Sequence, residues 1–174
     1  MRHEAKIEET EVGRVPVDDG WYILNLSEIR WATVPGGGTW CGFGSPNHPS
    51  DRIGIGVHIL WPGDAPGFYH EESDLEGFLV LSGECIAIVE EQERRLRRFD
   101  LLHCPPWTKH VLVGAGDGPC VVLMVGARVE DGIVYAVSEL AARYGASVAE
   151  ETGSPHEAYA SYEHWAPAKE KPEL

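Results

Sequence analysis

Ile53, Ile55, Val57, Ile59 and Trp61 alternate with Gly54, Gly56, His58 and Leu60. That period of two predicts a β-strand over residues 52–61 with one large-residue face. The interleaved glycines predict close approach or curvature on the other face. Residues 62–67, PGDAPG, end the strand with strong turn chemistry. Further strands are predicted over 68–72, 77–81, 84–90, 110–113 and 120–125, with turns at Ser82-Gly83 and at 114–119. Short β-prone runs occur at 21–24 and 39–43, flanking a Pro/Gly-rich bend at 31–38. A loop is expected at 45–51, and a charged hairpin tip at 90–94. Many short strands with frequent turns predict a β-sandwich or barrel.

The pattern changes after Gly126. Ser138 caps a helix predicted over 137–144, and Gly145 stops it. A second helix is predicted to open at Ser154-Pro155 and run through 157–162. The organisation expected is an N-terminal arm over 1–20, a β-barrel over 21–128, and a C-terminal helical appendix over 129–174 with a frayed end.

Composition narrows the function classes. The chain has 174 residues, enough for one domain with a full core. Its formal net charge of -14 argues against nucleic acid, whose phosphates need Lys/Arg footprints. The same charge is awkward for anionic substrates unless a metal or local Arg supplies positive charge. No apolar stretch approaches a membrane span, and residues 1–14 lack an apolar signal core, so a cytoplasmic location is expected. Cys41, Cys85, Cys104 and Cys120 form no C-x-x-C pair, and buried reduced thiols are expected.

One stretch concentrates ligand chemistry. His70, Glu72 and Glu76 fall within seven positions, and His110 follows Pro105-Pro106. On a strand His70 and Glu72 face one way, about 6–7 Å apart. The turn at Ser73-Asp74-Leu75 can return Glu76 beside them. Two imidazoles and two carboxylates suit a divalent ion such as Zn, Mn, Fe or Ni. If Glu72 is not bound to the ion, it is placed to act as general base.

These residues carry a family resemblance. His70-x-Glu72-x3-Glu76-x6-Gly83 and Pro105-x-Trp107-x2-His110 resemble the two motifs of small single-domain cupins. The resemblance covers residues 53–128 and implies a double-stranded β-helix, or jelly roll. It implies a ligand set of His70, Glu72, Glu76 and His110, where the family's usual set is three His and one Glu. Glu72 replaces a histidine, while Phe99, Trp107 and Gly114 replace the usual Gly, Gly and Asn. The resemblance implies a metal-dependent enzyme, of dioxygenase or isomerase type, on a small organic substrate. The alternative is a non-catalytic barrel binding a sugar or other small molecule. A homodimer through edge strands is expected, with neither nucleic acid nor membrane as partner.

Other residues receive quieter roles. His58 is expected to be a satisfied core histidine. His103 and Cys104 are adjacent on a strand, so only one can face the pocket. Tyr69, Phe78 and Trp107 are candidate pocket aromatics, with core packing favoured for Phe78. Arg94, Arg95, Arg97 and Arg98 are expected to form a solvated or subunit-facing basic surface.

Overall fold

The computed structural model describes residues 1–45, 52–129, 132–161 and 166–168. Among them the alternating segments form fourteen strands and two single-turn helices. In chain order the strands are β1 (Ile7–Thr10), β2 (Gly13–Pro16), β3 (Ala32–Val34), β4 (Gly38–Gly42), β5 (Ile53–Leu60), β6 (His70–Glu72) and β7 (Glu76–Ser82). They continue as β8 (Glu84–Val89), β9 (Gln92–Arg97), β10 (Leu101–Cys104), β11 (His110–Ala115), β12 (Cys120–Ala127), β13 (Ile133–Tyr135) and β14 (Ala166–Pro167). The helices are α1 (Glu139–Ala142) and α2 (Pro155–Ala158).

Strands β1 and β2 make a hairpin of their own, and the other strands make two antiparallel sheets. The larger runs β10-β7-β12-β5-β4-β3-β14 and the smaller β13-β6-β11-β8-β9. The sheets face each other as a jelly roll. Leu60, Phe78, Val80 and Val122 from the larger meet Ala87 and Leu112 from the smaller, all buried. Fully burying a Leu or Phe stabilises the fold by roughly 1.5–3 kcal/mol, so this interior is what holds the sheets together.

Strand alternation assigns the remaining positions. On β5 the large residues face outward: Val57 and Ile59 pack against Ile29 and Trp31 of the N-terminal segment. Gly54, Gly56, His58 and Leu60 therefore face inward, and Gly54 and Gly126 stand in register with Glu76 across β5, β12 and β7. On the smaller sheet Val111 and Val113 face outward and pack with Ala136, Ala141 and Ala146 around α1. His110 and Leu112 consequently face inward. Gly83 turns β7 into β8 at a φ of 72°, and a Cβ there would lie 2.3 Å from the Pro119 carbonyl oxygen. Only glycine suits that turn.

Several expectations need correction. Residues 21–24 are not a strand; Trp21 only bridges Glu4. The bend expected at 31–38 holds β3. The charged tip is confined to Glu90 and Glu91, both at positive φ, and Gln92–Arg97 is an edge strand paired with β8. Its pairing rests on the backbone ladder, which needs no apolar face. Both helices are caps with a single turn: Ser138 Oγ accepts from Ala141 N–H and Ser154 Oγ from Glu157 N–H, as expected, but neither helix extends. The C-terminal region also contributes strands. Ile133–Tyr135 pairs with β6, and Ala166–Pro167 pairs with β3 where fraying was expected. The loop expected at 45–51 lies outside the described residues beyond Ser45, as does the helix end at residue 162. Among the described residues no helix is long and apolar enough to cross a membrane.

Candidate metal centre

His70 and His110 are direct partners on the antiparallel strands β6 and β11, and their ring centroids lie 4.8 Å apart. Glu76 approaches from β7 on the facing sheet. One ligand atom from each of the three lies within 4.8 Å of the other two. Two atoms each about 2.1 Å from one ion are about 3.4 Å apart in a tetrahedral site, so loading needs a contraction of at most ~1.4 Å.

The tautomers are set by the backbone. Nδ1 of His70 donates to the Phe68 carbonyl at 2.7 Å, and Nδ1 of His110 donates to the Thr108 carbonyl at 2.9 Å. A carbonyl only accepts, so each Nδ1 carries the proton and each neutral Nε2 presents a lone pair. His110 Nε2 lies 3.1 Å from Glu76 Oε2, yet it is buried without a well-aligned hydrogen bond. A lone pair facing a carboxylate inside the fold needs a cation between them. This donor set fits a divalent ion.

The protonation tendencies agree. Burial pushes the His70 pKa down, with the nearby His110 adding to the effect. Burial also opposes charge on His110, but the Cys104 thiol and the Glu76 carboxylate beside its ring outweigh it, raising His110 to about 10. Without a metal, a proton on His110 is the cation that meets Glu76.

Glu72 stands apart from this group of three. Its Oε1 is 3.7 Å from His70 Nε2, and its side chain is 33% exposed. Burial, followed by the Glu76 charge, raises its pKa to about 7. Both Glu72 and Glu76 line a cavity of about 520 Å³ together with Trp31, Trp40 and Met124. That volume accommodates a small organic molecule.

The aromatic expectations divide. Phe78 is core and also flanks His110, at 5.1 Å between centroids. Tyr69 is buried on the outer side of the smaller sheet and accepts from Glu91 N–H. Trp107 is half-exposed, with its ring over Gly132. Cys104, not His103, faces inward, and its thiol reaches His110. His58 is buried against Trp40, and burial lowers its pKa to about 3. All four cysteines are buried free thiols.

Sequence reasoning missed the supports. Tyr135 on β13 stands opposite His70 in register, with the ring centroids 5.8 Å apart. Tyr159 stacks on Phe68 and accepts from its N–H, so it braces the peptide that orients His70. Trp31 and Trp40 replace Tyr69 as wall aromatics. Only the glycine-rich face of β5 hinted at the cavity.

The departures from the motif now have physical explanations. Phe99 and Trp107 adopt φ of 74° and 61°, the left-handed backbone that glycine would adopt. At Gly114 a Cβ would lie 2.0 Å from the Trp61 carbonyl oxygen, which excludes asparagine.

Comparison with known proteins places this geometry. The cupin-domain family profile matches residues 56–126. No curated protein sequence matches the chain. A sugar phosphate isomerase of the cupin superfamily from Silicibacter pomeroyi shares 21% identity and a TM-score of 0.55, over 64% of this chain and 85% of that one. A provisionally assigned sugar phosphate isomerase from Acidithiobacillus ferrooxidans gives 22% and 0.49, over 59% and 69% respectively. The DMSP lyase DddQ from Ruegeria pomeroyi gives 22% and 0.43, over 51% of this chain and 45% of the lyase. At such identities the likeness is one of fold, and fold alone does not assign a reaction. With the two-sheet jelly roll and both motifs in place, residues 56–126 match the cupin-domain family and the fold is that of a cupin-superfamily neighbour.

Proposed function

We propose that this protein is a metal-dependent enzyme of isomerase type, moving a proton on a small organic substrate bound in the cavity beside Glu72. The observation that carries the proposal is the buried His110 Nε2 facing Glu76 with its Nδ1 already committed to a carbonyl. His70, Glu76 and His110 would hold the ion. A divalent ion bound there supplies Lewis-acid polarisation of a substrate oxygen.

The chain's own residues supply the rest. Glu72 reaches the cavity with a pKa near 7, where a carboxylate both accepts and returns a proton efficiently at neutral pH. A base of that kind suits the proton transfer of the isomerase alternative. Trp31, Trp40 and Met124 shield the transfer from water. Backbone bonds from Phe68 and Thr108 keep both imidazoles in the ligating tautomer.

The test has two parts. Elemental analysis after loading with Zn, Mn, Fe or Ni should give one ion per chain; no uptake of any of them sinks the proposal. The loaded protein, incubated in D2O with small α-hydroxycarbonyl compounds, should wash deuterium into the α-carbon position. The Glu72→Gln variant should keep the ion and lose the exchange.

A further inference from the structure

The cavity beside the candidate metal centre carries cations that the metal proposal does not use. Five charged residues line it: Glu72, Glu76, Arg14, Arg30 and Arg128. Three are arginines, in a chain whose net charge is -14. Arg14 is committed, its Nη1 donating to Glu28 at 2.8 Å. Arg128 makes no ion pair among the described residues, although it lies close enough to Glu72 to restrain that carboxyl's proton affinity.

Arg128 is also seated. A Cβ on Gly54 would meet Arg128 Nε and one Nη at 2.7 Å and Cζ at 2.9 Å. The guanidinium therefore lies against the inner face of β5, in the space the missing side chain leaves. Gly126, between Gly54 and Glu76 in register, keeps the path from guanidinium to ligand carboxylate free of side chains. The wall carries at one end a planar cation that makes no ion pair among the described residues, and at the other Glu76, one of the three candidate ligands. Apolar and indole surface from Trp40, Ile55 and Met124 lies around them.

We propose that the cavity selects a small organic anion, whose carboxylate or phosphate group is held by Arg128 while its reactive end meets the metal centre. The proposal rests on the metal-dependent reading above for the second contact only. A guanidinium binds either oxyanion through two parallel N–H donors, and such charge-assisted bonds weaken sharply when the charge is removed. The positive potential is local: the cavity's arginines, together with a bound ion, offset the acidic surface over the short distances where screening is weak.

The test is titration calorimetry on the metal-loaded full chain with malonate, with inorganic phosphate, and with malonamide as the uncharged counterpart of malonate. Either anion should bind at least about tenfold more tightly than malonamide, and the tighter of the two identifies the group. Arg128→Gln should weaken that anion by about tenfold, with metal content unchanged. Arg95→Gln, which removes a cation paired with Glu84 away from the cavity, should leave it unaltered. Equal affinity for malonamide, or an Arg128→Gln variant that binds the anions as tightly as the parent, overturns the proposal. Metal content is read separately on the same samples. If no ion is taken up, the metal proposal fails by itself and the same two criteria are applied to the metal-free chain.

Discussion

His70 and His110 stand opposite one another on β6 and β11, and each imidazole is tied to the carbonyl two residues before it. The repeated bond leaves both Nε2 atoms unblocked by those carbonyls, with Glu76 approaching from the facing sheet. Two strands that pair in this register need no further device to bring two imidazoles together.

Metal uptake at neutral pH should displace a proton from His110. The folded pKa of His110 is raised from 6.5 to about 10, so at pH 7 the metal-free protein holds the imidazolium. Its contribution to stability is complete below the ordinary histidine value and disappears as pH rises through about 10. A ligated imidazole is neutral, so loading should release about one proton from this residue. Calorimetry in buffers of different ionisation enthalpy measures the number. His110→Ala should abolish both the release and tight binding; retained stoichiometric metal in that variant would show that His110 is not a ligand.

A different pH dependence belongs to Glu72. Its folded pKa is raised from 4.5 to about 7, so the fold favours its protonated form. Its contribution to stability is therefore complete below about pH 4.5 and is lost as pH rises towards 7. Catalysis runs the opposite way, because the base must be ionised. Substrate deuterium exchange should rise with pH and level off above about 7. Glu72→Gln should remove that limb and flatten the stability curve between the two values. An unchanged stability curve would mean that Glu72 is not held in a proton-favouring environment.

How much of this was legible in the sequence follows from what holds each element. The β7 and β8 strands bury alternating residues, and period two exposes such burial directly; β5 and β12 hold runs buried on both faces, legible as short apolar stretches bounded by turns. His70, Glu76 and His110 were legible because short-range geometry places them: one residue after Tyr69, one turn after Glu72, and one turn after Pro106. Strand β9 was not, because a paired edge strand can be charged at nearly every position. Trp31, Trp40 and Arg128 reach the cavity only through the order of β3, β4, β5 and β12 in the larger sheet, and no local pattern encodes that order. Tyr159 braces Phe68 across 91 residues of chain, which is equally invisible to a local pattern.

Gly114 should tolerate no side chain. Its N–H donates to the Asp64 carbonyl and its own carbonyl accepts from Gly63 N–H, locking β11 against the turn after β5. A Cβ would lie 2.0 Å from the Trp61 carbonyl oxygen, and the obstacle is backbone that cannot rotate away. Gly114→Ala should cost ~3 kcal/mol in urea unfolding. Gly118→Ala, where nothing lies within 4 Å of the added atom, should stay within about 0.5 kcal/mol of the parent. Similar midpoints for the two variants would contradict the close approach.

Phe99 and Trp107 offer a paired test of strain against packing. Both hold a left-handed backbone that disfavours a side chain by roughly 1–2 kcal/mol. Phe99 recovers little of this, since it is 69% exposed and its ring lies under the Arg98 guanidinium at 4.4 Å. An exposed contact of that kind contributes about 0.5–1 kcal/mol. Phe99→Gly should therefore be neutral or stabilise the fold by up to ~1 kcal/mol. Trp107 differs in its ring, which lies over Gly132; its backbone N–H bond to the Glu72 carbonyl is one that glycine keeps. The ring packs the turn before His110 against the residue that leads into β13, the strand paired with β6. Trp107→Gly should lower stability despite relieving the same backbone strain, and should also weaken metal binding by loosening the approach of His110. Urea midpoints and metal titrations on the two variants measure both effects. Equal shifts at the two positions would mean that the Trp107 ring does nothing that the exposed Phe99 ring does not.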